Sequence, residues 1–167
     1  MSVQPSHLGT DVLDQWRRVN RWHSRLDRIR RALPDADPDK SLALDDVWAF
    51  FENCFHLRDW VIRSDKDPKK RQPQVDAFID ANAAMRLCRD VANGVKHYRL
   101  DPARPTTSDP NWSTATRHEP VVTTGKGSRI AGGQPARWVF TGVGKGEIDM
   151  FDVADQCVSA WRSFLKI

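Results

Sequence analysis

FFENCFHLRDWVIR, residues 50–63, and MRLCRDVANGVKHYRL, residues 85–100, decide how this chain folds. At about 100° per residue, Leu44, Val47, Trp48, Phe51, Cys54, Phe55 and Ile62 fall in one arc of a helix. Phe50, Leu57 and Val61 widen that arc. A helix so broadly apolar is normally covered on two sides, so the first stretch predicts a central helix beginning at Ser41 or Asp45. One narrow strip stays polar: Glu52, His56, Asp59 and Arg63. The second stretch repeats the plan. Ala84, Leu87, Cys88, Val91, Val95 and Tyr98 make its apolar face, and Arg86, Asp90, Asn93 and His97 its polar strip.

Two readings of the strips stand side by side. Each can be the solvated side of an amphipathic helix. Alternatively, the two helices run antiparallel with the strips facing. The register in which residue numbers sum to 149 then pairs Glu52 with His97, His56 with Asn93, Asp59 with Asp90 and Arg63 with Arg86. The diagonals Asp59–Arg86 and Arg63–Asp90 would relieve the like-charged pairs. That register needs a short separate turn at 75–80 and Asn82 as a cap.

A facing seam could do three things. His56, Asp59, Asp90 and His97 offer metal-ligand types, but the order His-x-x-Asp reverses the acid-x-x-His spacing of di-iron bundles. His97 held by Glu52 could act as a general base, with Lys96 and Asn93 beside it to hold an RNA phosphodiester. The seam could also be a hydrogen-bond network that fixes register. No metal and no cofactor is assigned.

Outward from the central pair, Leu13, Trp16, Val19, Trp22, Leu26, Ile29 and Leu33 recur every three or four positions. This predicts an amphipathic helix from Asp11, its cap, to Leu33, with Pro34 ending it. Its other face carries Arg17, Arg18, Arg21, Arg25, Arg28 and Arg31, a candidate nucleic-acid or anion-binding surface if it is not simply solvated. Residues 34–40 read as an acidic turn. Residues 64–74, SDKDPKKRQPQ, read as an exposed basic loop because of two prolines and Lys66, Lys69, Lys70 and Arg71.

Residues 101–118 hold three prolines and many Ser and Thr, which predicts a long irregular connection. Seven of the nine glycines lie between 125 and 146. Four of them, Gly125, Gly127, Gly132 and Gly133, separate PVVTT from ARWVFTG, the pattern of a β-hairpin. GKGS and GVGKG lack the spacing of a Walker loop and read as turns. From Asp149 or Asp152 helical periodicity returns through Phe151, Val153, Ala154, Cys157, Val158, Trp161, Phe164 and Leu165. The expectation is mainly α: an up-and-down bundle of about four helices with a β-hairpin before the last. It treats residues 1–167 as a single domain, with a loose arm at 1–10, a helical core at 11–100, an irregular connection plus hairpin at 101–148 and a closing helix at 149–167.

Composition agrees with a soluble domain able to bury a core: 167 residues, 40% hydrophobic and 29% charged. The net charge of +4 admits an anionic partner. Three cysteines, an odd number, argue against a disulfide framework, and each sits in an apolar face as a buried, inert thiol. MSVQPSHLGT has no basic-then-apolar pattern of a signal peptide, and no run approaches a membrane span. A reducing cytoplasm is the expected compartment.

CFHLRDWV followed by CRDVANGVKHYRL resembles paired motifs of small bacterial and phage helical proteins, similar to the HEPN superfamily of nucleotide-binding helical domains. The resemblance covers about residues 42–100, with the closing helix as a looser match. It implies a helical bundle, dimerisation, and RNA cleavage or binding in toxin–antitoxin or anti-phage systems. The resemblance carries His97 over to the family's site, with Asn93 standing where the family sets an Arg. Arg89 lies eight positions before His97, where the family sets its Arg four to six before. Two functions follow as expectations: a non-enzymatic interaction module that meets a partner protein through Trp-rich surfaces, or a metal-independent RNA-cleaving or RNA-binding protein with His97, Asn93, Lys96 and Glu52 at its site.

Overall fold

The computed structural model describes the backbone of residues 11–30, 41–97, 120–123, 137–143 and 146–167, with side chains at 11–30, 43–93 and 148–167. The helices are α1 Val12–Arg30, α2 Ser41–Arg63, α3 Pro68–Ala81, α4 Ala83–His97 and α5 Met150–Leu165. The strands are β1 Pro120–Thr123, β2 Arg137–Val143 and β3 Gly146–Asp149. The expected arm at 1–10, the turn at 34–40, the connection at 101–118 and the Gly-rich hairpin turn lie outside the described residues.

The chain is mainly helical, as its periodicity predicts, but α3 is one helix more than expected. It occupies most of the stretch read as a basic loop. The physical reason is local. Asp67 caps it by accepting from the Lys70 amide at 3.3 Å. Pro68 sits at the first helical position, where its missing N–H costs nothing. Val75 and Ile79 then bury one side of the helix. Pro73 lies inside α3 and is exposed.

The other caps follow the sequence. Asp11 accepts from the Asp14 amide at 2.8 Å, and Asn82 from the Met85 amide at 3.2 Å. Asp149 accepts from the Phe151 and Asp152 amides at 2.9 and 3.1 Å. Each gives an orphan helix amide an acceptor.

The β-hairpin signal is real. β1 and β2 pair antiparallel with Val121 opposite Val139, and β3 adds a third antiparallel strand with Val139 opposite Asp149. The sheet order is β1-β2-β3. Because α5 starts one residue after β3, the sheet's last strand leads straight into it.

α2 is central, as its wide apolar arc demands. Val47, Phe50, Phe51, Cys54 and Leu57 are fully buried. α1 lies antiparallel along it, since Gln15 bonds to Asn53 while Arg25, further along, pairs with Asp46. α3 folds back the same way, with Arg58 reaching Asp76. α5 crosses to α1 through His23–Asp155 at 2.7 Å and Arg30–Asp152 at 3.2 Å. The described tryptophans contribute to this core. Trp161 is fully buried, and Trp16, Trp22, Trp48 and Trp60 pack against the core.

Candidate functional site

Among the described side chains, the polar strips do not assemble in the expected seam. His56 and Arg63 are exposed. Asp59 is taken by Arg58, its sequence neighbour, at 2.9 Å, and Arg58 also reaches Asp76 at 2.7 Å. Arg86 donates to the main-chain oxygen of Asp80, and Arg89 pairs with the Asp80 carboxylate at 2.7 Å. Asp90 is not on a solvated strip at all, being 1% exposed within the α4 packing. Glu52 and Asn93 are half-buried. Lys96 and His97 belong to α4, but their side chains lie outside the described residues.

The register differs for a physical reason. The Cys88 thiol donates to the Phe51 carbonyl at 3.5 Å, whereas the expected register would have set Phe51 against Tyr98. The α2–α4 contact is chosen by the apolar arcs, because burying them gains more than pairing exposed charges.

The arginine face of α1 is where the sequence places it. Arg17, Arg21, Arg25 and Arg28 are exposed, and their spacing sets them within about 80° of arc. Asp14 holds Arg17 at 3.0 Å, and Asp46 holds Arg25 at 3.4 Å. The Arg25 guanidinium also lies 4.7 Å from the centre of the Trp22 ring, which fixes its plane. Among the described residues neither Arg21 nor Arg28 makes an ion pair. Arg18 is partly covered and donates to Gln15 at 3.0 Å. Burial of Gln15 against Asn53 turns that side of α1 inward and so presents the arginines on the opposite side outward. From Arg17 to Arg28 the stripe runs about 16 Å at the helical rise.

The buried interior holds an arrangement the sequence reading missed. Cys54 on α2, Cys88 on α4 and Cys157 on α5 are fully buried and unpaired as disulfides. Their sulfurs all lie within 4.8 Å of one another. The Cys157 thiol donates to the Ala84 carbonyl at 3.3 Å. Burial alone would push the Cys54 thiol up. The Cys157 and Cys88 thiols, the Trp161 indole and the charge at His23 together hold it down, to about 5. Burial pushes Cys88 and Cys157 well up, so both remain thiols. Burial of each thiol was legible, since each Cys centres an apolar arc. Their convergence is tertiary and leaves no spacing motif.

Comparison with protein-family models, with curated proteins and with solved structures gives no match. No helix among the described residues is long and apolar enough to cross a membrane.

Proposed function

We propose that this chain is a non-enzymatic binding module, HEPN-like in its helix pairing, that holds RNA through the outer face of α1. The observation that carries this reading is the stripe of Arg17, Arg21, Arg25 and Arg28, exposed in one arc with Arg21 and Arg28 not engaged in ion pairs among the described residues. Guanidinium groups suit phosphate because they are always charged and donate in pairs. Contacts of this kind fix position on the backbone and carry little sequence preference. The described apolar surface offers less to a partner protein, since among the described residues only Leu13 and Ile167 are exposed large hydrophobics.

The test is equilibrium binding of a labelled single-stranded RNA to the full chain and to the Arg21→Glu/Arg28→Glu variant, in low salt. The reading expects tight binding by the parent chain and a loss of at least tenfold in the variant at unchanged helicity. Equal affinity would move the contact surface elsewhere. Cleavage of the RNA in the presence of EDTA would replace the module reading with a nuclease.

A further inference from the structure

Cys54, Cys88 and Cys157 come from three helices that are far apart in sequence, yet their sulfurs converge within 4.8 Å in the middle of the bundle. We propose that they form a binding site for one soft, thiophilic ion held by sulfur alone, and that a trivalent metalloid such as arsenic(III) or antimony(III) fits it best.

The spacing suits one ion. With a bond to sulfur of about 2.3 Å and the pyramidal geometry of a trivalent metalloid, three sulfurs stand about 3.5 Å apart, so a contraction of about 1 Å closes the site. The donor chemistry selects soft ions, because thiolate favours copper(I), zinc and their like over hard cations. The number of donors narrows the choice. Among the described residues the cluster consists of these three groups and no His, Asp or Glu joins it, whereas structural zinc takes four ligands.

Charge decides among the rest. The three cysteines belong to the same buried core as Phe51, Leu57, Leu87, Val91 and Trp161, all 2% exposed or less. An uncompensated charge in such a place is costly. Three thiolates around zinc(II) leave one negative charge, and around copper(I) two. Around a trivalent metalloid they leave none. The uptake balances without any redox change. Arsenous acid gives up three As–O bonds, three As–S bonds form, and the three hydroxides leave as water with the protons of the Cys88 and Cys157 thiols and one proton taken from solvent, since Cys54 enters as the thiolate. The Cys88 and Cys157 thiols would release their bonds to the Phe51 and Ala84 carbonyls, which are weak interactions. Once formed, the site is shielded from water, and the ion ties α2, α4 and α5 together. Since all three sulfurs are buried, loading belongs to folding or to transient opening.

The experiment unfolds the full chain with a phosphine reductant and refolds it with one equivalent of arsenite, of zinc(II) or of copper(I). Native mass spectrometry after desalting counts the ions, and X-ray absorption counts their neighbours. The expected result is one arsenic per chain with three sulfur neighbours and no oxygen, lost in Cys88→Ala and in Cys157→Ala. Failure to retain arsenic, oxygen neighbours around it, or equal retention by the folded variants overturns the proposal. Retention of copper(I) in preference to arsenic overturns the metalloid assignment. If the variants do not fold, thermal unfolding of the parent chain decides: arsenite should raise its midpoint, and an unchanged midpoint contradicts the site.

Discussion

The indole nitrogen of Trp161 donates to the main-chain oxygen of Cys54 at 3.0 Å, in the interior between α5 and α2. It joins the closing helix to the central one, and the same ring packs beside Phe78 of α3 at 5.0 Å. Trp161→Phe keeps an aromatic ring and removes the donor. The expected cost is about 1–2 kcal/mol for the bond and the smaller volume. Trp161→Ala leaves a cavity as well and should cost about 3–5 kcal/mol. Denaturant unfolding of both variants should rank them in that order. A Trp161→Ala variant as stable as the parent would contradict the packing of α5 on the core.

α3 depends on its start signal. Asp67→Ala removes the acceptor for the Lys70 amide and should destabilise the chain by about 1 kcal/mol. Asp67→Asn, which keeps the acceptor, should recover most of that loss. Thermal unfolding followed by circular dichroism checks both, and an alanine variant indistinguishable from the parent would show that packing alone holds this helix.

The Arg58–Asp76 pair closes α2 on α3 at 2.7 Å, with the arginine side chain 22% exposed and the aspartate 39%. Partial solvent access limits its worth. A double-mutant cycle with Arg58→Ala and Asp76→Ala should return a coupling of about 0.5–1 kcal/mol. Coupling near zero would mean that Asp59, the other partner of Arg58, takes over when Asp76 is removed.

The Asp149 cap serves two amides at once, so Asp149→Ala should cost about 1–2 kcal/mol, more than Asp67→Ala. It also sits at the junction of β3 and α5. Amide hydrogen exchange should rise first in the opening turn of α5. Faster exchange confined to α1 instead would contradict the assignment.

Local signals carried most of the fold. α1, α2, α4 and α5 follow from apolar residues at three- and four-residue spacing, and Asp11, Asn82 and Asp149 are caps of the expected type. α3 was hidden by Pro68, Pro73 and the Lys69–Arg71 run, although Asp67–Pro68 is itself a helix-start pair. β3 is four residues long and begins with a glycine, too short for an alternation to declare itself.

The site was legible only where it is one-dimensional. An arginine stripe on one helix can be read from spacing, and it stands exposed as read. The seam joined two helices through an assumed register, and the register is set by the buried faces instead. Cys54, Cys88 and Cys157 posed the same difficulty in reverse. Each was placed in its apolar arc, but nothing local says that three arcs on three helices share one centre.

The salt dependence of RNA binding tests the central claim most directly. Neutralising phosphates releases counterions, so log Kobs should fall linearly with log salt at about 0.7 per single-strand phosphate contacted. If Arg21 and Arg28 each hold one phosphate, the Arg21→Ala/Arg28→Ala chain should show a slope shallower by about 1.4 than the parent. Identical slopes, with both proteins folded, would contradict the assignment of α1 as the RNA-binding face.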